Sequence, residues 1–178
     1  IGEAENLWQQ VLTDAEKGSL QTYYHQPGRP SLNQLQVDRS IYAGKRYLPI
    51  GLIEAGRGCN FRCDFCAVQT VFQHSQTRRP IADILAELET MRHRPLIFFV
   101  DDNLTADISA AKEFFRALAP LKLRWVSQVS INAAFDDELL TLMAASGCQA
   151  VLIGFESLNA ENLRKMNKGF NLMQGGFE

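Results

Sequence analysis

The sequence lacks several features that would assign it to common classes of protein. No apolar stretch approaches the ~20 residues that a membrane-spanning helix needs, and the polar start of the chain does not look like a signal peptide. No block of basic residues is present, and the net charge is −2, so nothing predicts a nucleic-acid-binding surface. The Gly-x-Gly-x-x-Gly fingerprint of dinucleotide-binding folds is also missing. We therefore expect a globular protein that neither spans a membrane nor binds nucleic acid.

Cysteine is scarce, with four residues in a chain of 178, too few for the disulfide framework of a small secreted domain. Three of the four, Cys59, Cys63 and Cys66, stand within one short stretch. Clustered thiols are typical of a bound metal and need a reducing compartment, which predicts the cytoplasm. Closed zinc sites and iron–sulfur cubes normally take four ligands. Three ligands would leave one metal corner open, where another molecule can bind and react.

A zinc site is the alternative, with Cys148 or His74 as the fourth ligand. Cys148 opens an apolar run far along the chain, where a cysteine is more typical of a small core residue. His74 stands in a polar stretch, which predicts a solvated side chain.

The second part of the chain alternates between strand and helix patterns. We predict strands over 50–54, 96–100, 124–131 and 151–155, and helices near 81–91, 108–118, 136–146 and 162–168. Apolar strands separated by helices predict an α/β fold with a parallel sheet buried on both faces. About four βα units fit a partial (β/α) barrel. A helix over residues 3–17 and a linker that ends at residue 47 precede it.

Polar side chains follow the predicted strands, at the end of a barrel that usually carries the chemistry. The candidates are Asp101, Asp102 and Asn103 after the second strand, Gln128, Ser130 and Asn132 along the third, and Glu156 after the fourth. The third-strand residues share one side by the two-residue period. We expect Asp101, Asp102 and Glu156 to line one cavity with the cysteines. The alternatives are a strand end or helix cap for the aspartates, and solvated positions for the others.

Four segments together resemble the core of radical S-adenosylmethionine (SAM) enzymes over residues 48–169. They are Arg-Gly-Cys-Asn-Phe-Arg-Cys-Asp-Phe-Cys, Phe-Val-Asp-Asp-Asn, Ile-Gly-Phe-Glu-Ser and Met-Asn-Lys-Gly. The resemblance implies a [4Fe–4S] cluster on Cys59, Cys63 and Cys66, with SAM chelating the fourth iron. It places the SAM amino group near 101–103, where many members carry Gly-Gly-Glu. It places the ribose or carboxylate near Gln128, Ser130 or Asn132, and the adenine near the backbone of Phe65 and Ala67. Glu156 is grouped with these cofactor-binding residues.

The Asp-Asp-Asn form is similar to the cobalamin-binding branch of that family. The resemblance implies reductive cleavage of SAM to a 5′-deoxyadenosyl radical, followed by methyl transfer or carbon rearrangement on a small-molecule substrate. An external electron donor such as flavodoxin or ferredoxin is implied. Two alternatives stay open: a radical SAM methylthiotransferase or oxidoreductase, and a non-catalytic iron–sulfur or zinc module.

The domain organisation follows from the same resemblance. Residues 1–47 are interpreted as a helix and linker, either the end of an upstream cobalamin-binding domain or an ordinary surface helix. Residues 48–178 are interpreted as a radical SAM core truncated at its C-terminus, since such cores usually have six βα units. The chain also begins without Met. We expect these residues alone to be a poor catalyst and to associate through an unpaired edge strand.

Overall fold

The computed structural model describes residues 2–35 and 37–175, with side chains described as far as Leu172. Its contacts divide the chain after Leu32 into two compact units, whereas the sequence analysis ended the linker at residue 47. The first unit contains helix α1, Trp8–Glu16, which is shorter than the predicted 3–17. In the described part of the chain, no helix has the length and apolar character required to cross a membrane.

The second unit carries six strands and five α-helices in the part of the chain that is described. In chain order these are β1 (Ile50–Ile53), β2 (Gly56–Gly58), α2 (Ala67–Phe72), β3 (Gln76–Arg78), α3 (Ile81–Thr90), β4 (Leu96–Phe99), α4 (Ile108–Leu118), β5 (Trp125–Val129), α5 (Asp137–Ala145), β6 (Cys148–Ile153) and α6 (Ala160–Lys165). Short 3-10 helices span Ser40–Tyr42, Ala119–Leu121, Ile131–Phe135 and Gly169–Gly175.

The main sheet has the strand order β1-β4-β5-β6, and every neighbouring pair is parallel. Strands that are consecutive in this series are therefore adjacent in space, as in a barrel that is wound in one direction. Among the residues described, the sheet stays open, with β1 and β6 at its two edges. The predicted partial barrel with four parallel strands is confirmed.

One face of this sheet forms the core. Ile53, Phe99 and Trp125 are almost fully buried there, and the Trp125 ring stacks on Phe115 of α4 with their centroids 5.1 Å apart. The opposite face is open, because Leu152 is 60% exposed and lines a cavity on that side. The expectation that the strands are buried on both faces was wrong, since the inward side chains border this cavity.

Two local elements were missed by the sequence analysis. Strands β2 and β3 form a small antiparallel sheet. Each strand has only three residues, and these are mostly glycine and polar residues, so no alternation of apolar side chains marks them in the sequence. Helix α2 has six residues and starts directly after Cys66. Strand β6 also begins earlier than predicted, at Cys148, and a bulge interrupts its register with β5 near Trp125 and Val126.

Gly147 lies in the tight turn between α5 and β6. Its φ of +95° is unfavourable for residues with a side chain. A Cβ at this position would lie 1.8 Å from the carbonyl oxygen of Leu123. The chain can therefore turn into β6 here only because the residue is glycine.

Candidate functional site

A cavity of about 420 Å³ opens at the carboxyl ends of β4, β5 and β6. Its lining includes all three clustered cysteines, Cys59, Cys63 and Cys66. In the described ranges, no three His, Cys, Asp or Glu side chains converge closely enough to hold a single metal ion. The three thiols therefore share one cavity.

The cysteine loop is folded by its own backbone and by the segment after α6. The amide of Cys66 donates to the carbonyl of Cys63 over 3.1 Å, and that of Asp64 donates to the carbonyl of Met166 over 3.1 Å. Cys63 is buried, and burial raises the pKa of its thiol, while the positive charge of Lys168 opposes that rise. The loop is thus held with one thiol buried and two partly exposed.

Asp101, Asp102 and Asn103 follow β4 after one intervening residue, Val100, and contact the chain that leads into the cysteine loop. Asp101 Oδ2 accepts from the amide of Ala55 over 2.9 Å, and Asp102 Oδ2 accepts from the amide of Gly58 over 2.7 Å. Asn103 Nδ2 lies 3.5 Å from Cys59 Sγ and donates toward it. The Asp-Asp-Asn segment thereby fixes the position at which the first cysteine enters the cavity.

Asp101 does not line the cavity, and the expectation that it does was wrong. Its side chain is 1% exposed because it points toward the backbone between β1 and β2. Burial raises the pKa of Asp101 to about 7, although the amide of Ala55 and the charge of Arg78 act in the opposite direction. The Asp101 carboxylate thus binds the backbone amide of Ala55, while the neighbouring Asp102 and Asn103 line the cavity.

The polar residues at the end of β5 fall into two groups. Gln128 and Ser130 line the cavity, and Ser130 Oγ accepts from Asn103 Nδ2 over 2.9 Å. Asn132 does not line it, since β5 ends at Val129 and Asn132 lies in the following 3-10 helix. The expectation that the three residues alternate along one strand was therefore wrong for Ser130 and Asn132, since only Gln128 lies in β5. Its Oδ1 still accepts from the Ser130 hydroxyl.

Glu156 lines the cavity, but it is not in a strand. β6 ends at Ile153, and Glu156 has a φ of +62°. Its side chain folds back over Gly154, where a Cβ would lie 2.5 Å from Glu156 Oε1. The same carboxylate oxygen accepts from Lys168 Nζ over 3.1 Å. Gly154 therefore leaves the space that Glu156 occupies.

Of the remaining residues named in the sequence analysis, one lines the cavity and three do not. Phe65 lines the cavity, whereas Ala67 is exposed in the first turn of α2 and does not. Cys148 begins β6, at the strand end opposite the cavity, and its thiol donates to the carbonyl of Ala150 over 3.8 Å. His74 is hydrogen-bonded to Gln69 and does not line the cavity. Neither Cys148 nor His74 completes a four-ligand site with the cysteine loop.

Several residues of the site were missed by the sequence analysis. Gln69 donates to the carbonyl of Phe61, and the Phe61 ring stacks on Phe170 with centroids 4.1 Å apart. Lys168 is buried beside the cavity. The Met-Asn-Lys-Gly segment contained the lysine, but no local pattern indicated that this segment would cover the cysteine loop.

The donor set fits an iron–sulfur cluster. Three thiols face one cavity, and thiolates are the usual protein ligands of such clusters. The Asn103 amide group is placed to donate to one sulfur, and hydrogen bonds to sulfur are among the features that set a cluster's reduction potential. Cys59, Cys63 and Cys66 would be the ligands.

Comparison with known proteins agrees with this geometry. The family model described as "Radical SAM superfamily" matches residues 53–172. The bacteriochlorophyllide d C-12(1)-methyltransferase of Chlorobaculum tepidum is 31% identical over 97% of this chain and 40% of its own length. The cytidylyl-2-hydroxyethylphosphonate methyltransferase of Streptomyces wedmorensis is 35% identical over 61% of this chain and 21% of its own. The chain thus spans less than half the length of either relative.

A solved structure shares the fold. It is that of the radical S-adenosylmethionine methyltransferase TsrM from Kitasatospora setae, with cobalamin and a [4Fe–4S] cluster bound. The TM-score is 0.59 at 24% sequence identity, over 64% of this chain and 24% of TsrM. At this identity the likeness establishes the α/β architecture and carries no statement about ligands.

Proposed function

The chain belongs to the Radical SAM superfamily, and we propose that it holds a [4Fe–4S] cluster on Cys59, Cys63 and Cys66 and cleaves SAM reductively. The observation that carries the proposal is the placement of these three thiols, and no fourth, in one cavity at the carboxyl ends of β4, β5 and β6. When bound, the cluster supplies one electron to the sulfonium of SAM and leaves one iron open for its amino and carboxylate groups.

The protein's own residues bind and orient SAM in this proposal. Asp102 and Asn103 lie beside the cysteine loop and are proposed to meet the amino group, while Gln128 and Ser130 face the ribose or carboxylate. Glu156 also lines the cavity, and the backbone beside Phe65 offers a surface for the adenine. Asp101 takes no part in contacting SAM, because its carboxylate is buried against Ala55.

We propose methyl transfer as the reaction of the whole protein. The two relatives described above are named methyltransferases, and other relatives carry the names hopanoid C-2 methylase and tryptophan 2-C-methyltransferase. These names favour methyl transfer over methylthio transfer and oxidoreduction. Their substrates differ widely, so the proposal extends to a small molecule and names no compound.

Cobalamin is proposed as a second cofactor of the whole protein, on the resemblance of the Asp-Asp-Asn segment to the cobalamin-binding branch. An external flavodoxin or ferredoxin is proposed as the electron donor, since the cluster must be reduced from outside. A reducing compartment such as the cytoplasm suits four free thiols, three of them clustered. Cobalamin content of the whole protein, measured from its visible spectrum after purification, tests the cofactor, and cobalamin-free protein with full methyl transfer would exclude it.

Anaerobic reconstitution with iron and sulfide tests the cluster. We expect about four irons per chain, as in a [4Fe–4S] cube, and loss of the cluster in Cys59→Ala, Cys63→Ala and Cys66→Ala. Cys148→Ala is the matched control and should keep the cluster, because Cys148 lies at the start of β6, whereas the cavity lies at the end of that strand. A SAM titration of the reconstituted protein then separates the enzyme from a non-catalytic module, which would hold iron without binding SAM.

A further inference from the structure

Lys168 is the residue of the site whose role the proposed function leaves open. It is 8% exposed, and its ammonium group lies 3.1 Å from Glu156 Oε1. Its Nζ also lies 5.6 Å from the centroid of the Phe65 ring and 5.7 Å from that of Phe170. Among the described cavity-lining residues it is the only one with a positive charge.

Backbone hydrogen bonds fix the position of Lys168 without the help of a ligand. Helix α6 ends at Lys165, and Asn167 follows with a φ of +54°. The amide of Lys168 then donates to the carbonyl of Leu163 over 2.8 Å, which turns the chain back over the helix end. The bond from Asp64 to Met166 ties this turn to the cysteine loop. The position of the charge is therefore fixed by the fold and does not depend on a flexible surface chain.

The charge of Lys168 lies in the same cavity as all three cysteines. Its Nζ is 5.6 Å from the ring of Phe65, which stands between Cys63 and Cys66 in the cysteine loop. A positive charge at this position favours any additional negative charge within the cavity. Reduction of a cluster adds one negative charge, and net charge around a cluster is one of the determinants of its potential.

We propose that Lys168, oriented by Glu156, raises the reduction potential of the cluster held by Cys59, Cys63 and Cys66. This inference rests on the proposed function, because it requires the cluster. The positive charge of Lys168 acts on the cluster by electrostatic attraction across the cavity, and the negative charge of Glu156 partly neutralises it. The two residues should therefore shift the potential in opposite directions.

The test is an anaerobic redox titration of the SAM-free, reconstituted protein, followed by electron paramagnetic resonance of the reduced cluster. Lys168→Gln should shift the potential to more negative values, so that the reduced fraction falls several-fold at a fixed applied potential. Glu156→Gln should shift it to more positive values, because the lysine charge is then unopposed. Lys168→Arg keeps the charge and should stay close to the wild type. Lys165→Gln is the control, since Lys165 is 70% exposed and pairs with Glu161, and it should leave the potential unchanged.

Opposite shifts would support the inference, since loosened packing gives no reason for the two variants to differ in sign. Unchanged potentials in Lys168→Gln and Glu156→Gln, with about four irons per chain retained, would overturn the inference and leave the proposed function standing. Wild-type protein that takes up no iron would overturn both. If Lys168→Gln fails to hold a cluster, Glu156→Gln still decides, because it keeps the lysine and predicts a positive shift.

Discussion

The carboxylate of Asp102 accepts a 2.7 Å hydrogen bond from the backbone amide of Gly58, the residue directly before the first cysteine of the loop. Gly58 has a φ of +86°, so the chain turns sharply at the same point. The segment after β4, which the sequence predicted to bind SAM, therefore also anchors the cysteine loop. Cluster retention and SAM binding are expected to depend on the same side chain.

Asp102→Ala should weaken the hold on the cluster. Removing a charged acceptor from a partly buried amide costs about 1–3 kcal/mol, and the loop entrance then becomes mobile. We expect iron to be released to a chelator several-fold faster than from the wild type. Asp102→Asn keeps an acceptor oxygen and should show a smaller effect, and Asp137→Ala, at an exposed position in α5, should show none. Equal release rates for Asp102→Ala and the wild type would show that Gly58 needs no anchor.

The neighbouring Asp101 predicts a pH dependence of stability. Its pKa is raised from 3.8 to about 7 in the folded protein, so the folded state keeps a proton that the unfolded state has already lost. Its contribution to stability is fully present below about pH 4 and is lost as the pH rises toward 7. Within this window the free energy of unfolding should fall by roughly 1.4 kcal/mol per pH unit from this group.

Asp101→Asn isolates that contribution, because asparagine is neutral and keeps an acceptor for the amide of Ala55. Urea unfolding of both proteins between pH 5 and pH 8 under anaerobic conditions measures the difference between them. We expect the difference to change in favour of Asp101→Asn up to about pH 7 and to level off above it. A difference that is constant across the range would mean that Asp101 titrates normally despite its burial.

The sequence was sufficient to predict the order of strands and helices in the second unit. Long apolar runs such as 96–100 and strongly amphipathic stretches such as 108–118 leave few alternatives for local structure. The cysteine spacing likewise predicted that the three clustered thiols belong to one site, and the structure brings all three to the same cavity. The predicted strand ends were less accurate where the apolar pattern is weak. Ser130 and Asn132 were assigned to the third strand because the alternation was extended past its true end at Val129.

The sequence could not distinguish Asp101 from Asp102, since two adjacent acids after a strand have the same local pattern. Tertiary structure separates them, because one carboxylate is buried against Ala55 and the other reaches Gly58. Lys168 and Phe170 were missed for a related reason. They meet the cysteine loop across about a hundred residues of chain, and no periodicity within either segment encodes that contact.

Phe170→Ala should make the cluster more sensitive to oxygen. The Phe170 ring stacks on Phe61 at the cavity wall, with the two planes 16° apart, and both rings line the cavity. Losing the stacked ring opens a path for oxygen and removes about 0.5–1.5 kcal/mol of aromatic contact. Bleaching of the cluster's visible absorbance in air should be several-fold faster, while Phe170→Tyr should match the wild type. Identical bleaching in all three proteins would exclude a shielding role.

Gly147→Ala tests the turn that brings β6 into the sheet. Gly147 has a φ of +95°, and a Cβ there would lie 1.8 Å from the carbonyl oxygen of Leu123. Gly44→Ala is the matched control, since Gly44 also has a positive φ, +73°, but nothing lies within 4 Å of its would-be Cβ. Backbone strain alone costs about 1–3 kcal/mol, so Gly44→Ala should remain folded. Gly147→Ala adds a clash with the backbone of Leu123, two residues before the buried Trp125, and it should lose clearly more stability in urea unfolding. Because β6 carries one wall of the cavity, iron uptake should fall in parallel. Equal losses of stability in the two variants would mean that strain, and not the close approach to Leu123, makes glycine necessary at this turn.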